Sequence, residues 1–99
     1  MSKFKLSNKA VEDLTGIYEY TYEFWSEFQA EKYYSELIRI CELLAEYPQI
    51  GKNYNQIDRD LFGYLANKHI IFYRIVDKRL IVIVRILGAD MDLKNRIKE

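Results

Sequence analysis

The sequence has one cysteine, one proline, one histidine, one tryptophan and four glycines among 99 residues, and its 15 basic and 15 acidic side chains leave no net charge. Each shortage excludes something. A lone Cys41 forms no internal disulfide, and with a lone His69 it completes no zinc site, so a reducing compartment, the cytoplasm, is the expected location. Glycines that stand apart build no phosphate-cradling loop. The longest apolar run, around Ile81 to Val84, is far short of a bilayer span. No charged stretch, apolar segment and small-residue cleavage site mark the chain for secretion. Zero net charge argues against a strongly basic nucleic-acid binder. No metal, cofactor or membrane partner is expected.

What is present suits one soluble domain, residues 1–99, with 49% hydrophobic and 30% charged residues and enough chain to bury a single core. The neutrality is an average over two unlike halves. Residues 1–50 carry five basic and nine acidic side chains, giving −4, and residues 51–99 carry ten and six, giving +4. Such a split bears on partners more than on fold.

Residues 3–6 alternate polar and apolar side chains, the period of a short strand. Ser7 stands where a helix N-cap belongs, with Glu12 and Asp13 behind it. Val11, Leu14, Tyr18, Tyr22, Trp25 and Phe28 recur at spacings of three and four, one helical stripe. Ser26 and Gln29 have the spacing of a cap, so the chain reorients there and starts a second helix through Tyr33, Leu37, Cys41 and Leu44, stopped by Pro48 and Gly51. Two helices with a short connection form an antiparallel hairpin. Residues 52–60 are polar and aperiodic, a loop. Residues 61–66, 69–76 and 80–87 are β in character, the last two joined by a turn at 77–79. The fold class is α+β: an N-terminal strand, a two-helix antiparallel hairpin, then a mostly antiparallel three-strand run completing a small sheet.

Alternation divides the two strong strands into faces. Ile71, Tyr73, Ile75, Leu80, Val82, Val84 and Ile86 form an uninterrupted apolar face for the helices. Ile70, Phe72, Arg74, Ile81, Ile83, Arg85 and Leu87 form the other, apolar but for two arginines. A helix pair covers one face only, so the second must be covered by the chain's own tail, a second copy or another protein; another protein is the expectation, the competing one being that the tail after Gly88 folds over it.

Few residues suggest chemistry. His69, at the start of a strand on the core-facing parity, is expected to be structural. Cys41 lies on an apolar helical stripe and is a core hydrophobe. Glu19, Glu23, Glu27 and Glu31 are spaced by four, a solvated acidic ridge, not a paired acid and base. Six of the nine tyrosines, Tyr18, Tyr20, Tyr22, Tyr33, Tyr34 and Tyr47, lie among acidic neighbours in the helical half, which disfavours base stacking and favours amphipathic packing with the ring inside.

Several strings, in this order, resemble one family. Leu6 through Ser7, Ala10, Asp13 and Leu14; LLAEYPQIG at 43–51; HIIFYRIVD at 69–77; and IVRILGADMDL at 83–93 resemble the RelE/ParE toxins of bacterial type II toxin–antitoxin modules, and the ParE branch more than the RelE branch. The resemblance implies a small cytoplasmic toxin held in a hetero-oligomer by a cognate, ParD-like antitoxin whose C-terminal segment wraps it. ParE-like members poison DNA gyrase and RelE-like members cleave mRNA in the ribosome. The ribosome-dependent RNases hold the phosphate with Lys and Arg on the middle strands and an Arg, often with a Tyr, after the last. The comparable stretches here are Leu61, Phe62, Gly63 and Ile70, then Gly88, Ala89, Asp90 and Met91. Without those cations, charge developing at the phosphate lacks its stabiliser. ParE-like members commonly have an Arg near Phe62, a His near Gly88 and an Arg near Met91, so the chain departs from that branch too.

The resulting expectation is a non-enzymatic toxin that inhibits DNA gyrase by protein binding, does not itself bind DNA, and is neutralised by an antitoxin. Ile70, Phe72, Arg74, Ile81, Ile83, Arg85 and Leu87 are the expected binding face, its arginines meeting acidic side chains, with the outer surface of the helical hairpin as the alternative. Other readings are an mRNA endonuclease of the RelE kind using a displaced set, Lys68, Arg74, Arg79 and Arg85, and an inactivated toxin domain kept as a binding module.

Overall fold

The structure, a computed structural model, describes residues 2–99. Strand β1 (Lys3–Leu6) leads into helices α1 (Asn8–Phe24) and α2 (Glu27–Glu46), followed by a 3-10 turn at Pro48–Ile50. Strands β2 (Lys52–Asn53), β3 (Phe62–Ala66), β4 (His69–Asp77) and β5 (Leu80–Gly88) and a short helix α3 (Leu93–Ile97) complete the chain. The sheet order is β1-β5-β4-β3-β2, antiparallel except that β1 lies parallel to β5. The polar loop expected at 52–60 thus contributes a two-residue edge strand, formed because Lys52 and Asn53 pair with Gly63 and Phe62.

Capping sets the helix boundaries. The Ser7 hydroxyl accepts from the Ala10 amide at 3.0 Å and donates to the Val84 carbonyl at 2.8 Å, fixing the start of α1 to β5. The Ser26 hydroxyl accepts from the Gln29 amide at 3.0 Å and starts α2. At the far end of α2, the fully buried Tyr73 hydroxyl accepts from the Gly51 amide at 3.0 Å and donates to the Pro48 carbonyl at 2.7 Å. A Cβ at Gly51 would run into that hydroxyl, so this turn requires glycine.

The hairpin packs on one face of the sheet, where Ala10, Leu14, Leu37, Cys41 and Leu44 meet Ile71, Tyr73, Ile81, Ile83 and Ile86. Strand β4 follows the expected alternation, but β5 does not. Phe72 pairs with Arg85 while Tyr73 pairs with Ile83, so Val84 is an extra residue in β5. A bulge of this kind reverses side-chain parity on one side of it. Ile81 and Ile83, expected on the second face, are therefore fully buried under the helices, while Val84, expected there, joins the second face.

That second face is covered by the chain itself. Leu61, Ile70, Phe72 and Leu87 are buried, packed against Tyr54 and Ile57 from the loop before β3, Val84, and Leu93 and Ile97 of α3. A loop and the tail thus supply the cover expected from another protein, as the competing expectation held for the tail.

Candidate functional site

Strand β1 ends at Leu6, opposite Ile83, so the outer edge of β5 beyond that point loses its neighbour. Helix α1 satisfies it with side chains. One Asp13 oxygen accepts from the Ile86 amide at 3.0 Å and from Arg85 Nε at 2.8 Å, and the other accepts from Arg85 Nη2 at 3.0 Å. Arg85 also donates to the Arg96 carbonyl at 2.6 Å and lies 3.6 Å from the Glu99 carboxylate, which ties α3 to the same point. The guanidinium is only 7% exposed by residue. Its bonds to Asp13 hold it protonated, with its pKa above the usual arginine value.

An open groove of about 970 Å³ passes this ion pair, running between the helical hairpin, the β3–β4 turn and the end of β5. Gly16 lies on its α1 wall, where an added Cβ would meet nothing, and Tyr20 and Trp25 line it toward the hairpin tip. Lys32 and Tyr33 of α2, Lys68 of the β3–β4 turn and His69 at the start of β4 line it as well. Within it the Tyr33 hydroxyl and His69 Nδ1 are 2.6 Å apart. Burial pushes the phenol above and the imidazole below its ordinary pKa, with Asp90 and Asp13 partly countering the latter. At neutral pH the pair is an uncharged hydrogen bond that braces α2 against β4. Among the described residues no cluster of three metal-ligating side chains occurs, and no helix is long and apolar enough to cross a membrane.

The seven residues of the expected binding face do not form one open surface. Ile70, Phe72 and Leu87 lie together but under the loop and α3, and Ile81 and Ile83 lie on the helix side. Arg74 and Arg85 already hold carboxylates of their own chain, Asp58 and Asp13. The displaced basic set is likewise scattered. Arg74 is bound to the loop before β3, and Arg79 sits at the β4–β5 turn, a nine-residue strand away from Lys68, roughly 30 Å at the usual rise. Of the four, Lys68 and Arg85 reach the groove, and Arg85 is held by Asp13.

The alternative surface, the helical hairpin, is where exposed apolar side chains collect. Trp25 and Phe28 are both 72% exposed, Phe24 63% and Tyr20 60%, and the Tyr20 and Phe24 rings are 4.6 Å apart. Periodicity alone puts Trp25 and Phe28 on the apolar stripe of α1. The break at Ser26 removes them from it, and the buried residues of α1 are Ala10 and Leu14. The tyrosines do not all turn their rings inward, since Tyr20, Tyr22, Tyr34 and Tyr47 are exposed. The one signal in sequence for this patch is the crowding of aromatics around a cap residue.

A family model described as "ParE toxin of type II toxin-antitoxin system, parDE" matches residues 4–93. Toxin ParE1 of Mycobacterium tuberculosis is 32% identical over 96 residues, which cover 97% of this chain and 98% of that protein. Toxin ParE1 of Caulobacter vibrioides is 29% identical over 94 residues, covering 95% and 96%. Among solved structures, a chain of the chromosomal ParDE system from P. aeruginosa superposes with a TM-score of 0.77 at 18% identity, covering 91% of this chain and 98% of that one. A chain of the RelBE2 toxin–antitoxin complex from Mycobacterium tuberculosis superposes at 0.68 and 17% identity, covering 88% and 96%.

Proposed function

Because the chain belongs to the ParE toxin family of type II toxin–antitoxin systems, we propose that it inhibits DNA gyrase by binding it and is neutralised by a cognate antitoxin. The carrying observation is the state of its cations. Phosphodiester cleavage needs positive charge converging on one phosphate as the transition state forms. Of the cations lining the groove, Arg85 is held by Asp13 and Arg96 lies 3.5 Å from Glu99, which leaves Lys32 and Lys68; Arg74 on the other face is held by Asp58. The groove's imidazole is paired with a phenol. These groups suit binding better than bond cleavage.

The antitoxin reading is supported by the two structural neighbours, both described as toxin–antitoxin systems or complexes. The reading puts it at the groove, which is open, in preference to the sheet face already under α3. The cytoplasm is the compartment in which such an interaction takes place. Incubating the purified protein with gyrase and relaxed plasmid, and separately with translating ribosomes, tests the reading. Lost supercoiling with intact mRNA is the expected result; cut mRNA with unaffected supercoiling would overturn it.

A further inference from the structure

The end of the α1–α2 hairpin combines two features that extend beyond the groove, which Tyr20 and Trp25 also line. Tyr20, Phe24, Trp25 and Phe28 present large rings to solvent. Around them stand Glu19, Glu23, Glu27 and Glu31, all exposed. The four-residue spacing does not place these carboxylates along one helix. The cap at Ser26 divides them between two antiparallel helices, so they surround the tip from both sides. Among the described residues none of the four is in an ion pair, and only Glu31 has a side-chain partner, the Tyr18 hydroxyl, which donates to it at 2.9 Å.

Exposed aromatic faces within uncompensated negative charge are the chemistry that receives lysine or arginine side chains, through attraction to the ring face and to the carboxylates. A second copy's tip would bring like charges together, and an anionic lipid surface would be repelled. We propose that this tip docks a lysine- or arginine-bearing apolar segment of the protein that the toxin inhibits. The assignment rests on the toxin reading, while the charge preference of the surface is measurable without it.

Trp25 is the only tryptophan, so its emission reports the tip directly. A short helical peptide of leucine and lysine should shift that emission to the blue, and its leucine–glutamate twin should not. Glu23→Lys with Glu27→Lys should abolish the shift. In cells lacking the antitoxin, that variant and Phe24→Ser with Phe28→Ser, none of whose residues lines the groove, should arrest growth at least about tenfold less effectively, with the antitoxin Kd, measured by calorimetry, kept well inside a tenfold change. Equal shifts with both peptides, a shift with phosphatidylglycerol vesicles, undiminished growth arrest by both variants, or a comparable loss of antitoxin affinity would each overturn the proposal. Absence of growth arrest by the unaltered protein would count against the toxin reading, and the peptide titration would still decide the surface chemistry.

Discussion

Asp13 accepts hydrogen bonds from two nitrogens of Arg85 and from the amide of Ile86. Replacing it by alanine leaves a buried guanidinium without its counter-charge, a change that costs about 3–5 kcal/mol. Urea denaturation of Asp13→Ala should show a loss of that order, and Arg85→Met added to it should recover part of the loss, since the unpaired charge is then gone. A loss below about 1 kcal/mol would show that Asp13 does not clamp β5. His69 gives a pH dependence of defined sign. Burial lowers its folded pKa below the ordinary 6.5, so the unfolded chain takes up the proton first as the pH falls. The stability it contributes is complete above 6.5 and is lost as the pH drops through the folded value. Urea midpoints at about pH 7.5 and about pH 5 should therefore diverge more in the unaltered protein than in His69→Gln. Equal divergence would contradict the assignment.

Between residue and element lies the explanation of the strings that carried the family resemblance. Ser7, Ala10, Asp13 and Leu14 form a cap, a close helix contact, a clamp on β5 and a core contact, and the glycine ending LLAEYPQIG is required by Tyr73. Helix limits were legible because caps are local chemistry. The parity of β5 was not, because the bulge at Val84 is set by the register of β4 and by the Ser7 hydroxyl on its carbonyl, neither of which alternation along one strand reveals. The cover of the second face was ambiguous for a similar reason. Helix α3 has only five residues and two apolar contacts, Leu93 and Ile97, too short for a clear period. Ending the chain after Asp92 should expose that face and free the contacts of Arg85 with Arg96 and Glu99. Half-buried side chains of this size imply a loss of about 2 kcal/mol, a fall in Tm of roughly 8–16 °C for a chain of this length. An unchanged Tm would show that the loop before β3 suffices as cover.

For the molecule as a whole, the balance of 15 basic and 15 acidic residues divides along the fold. The acidic share lies in the hairpin, with an aromatic tip, and the basic share lies in the sheet and tail, where the two sheet-borne arginines Arg74 and Arg85 are neutralised internally. A molecule so divided presents charge for recognition, and both arginines of its groove, Arg85 and Arg96, face carboxylates of their own chain. Its action should therefore be that of a binder, consumed in proportion to its target. Titrating the purified protein into a fixed amount of gyrase and following supercoiling of relaxed plasmid tests this most directly. Inhibition should saturate near a stoichiometric ratio and be reversed by the cognate antitoxin. Supercoiling that persists at large molar excess would contradict the account.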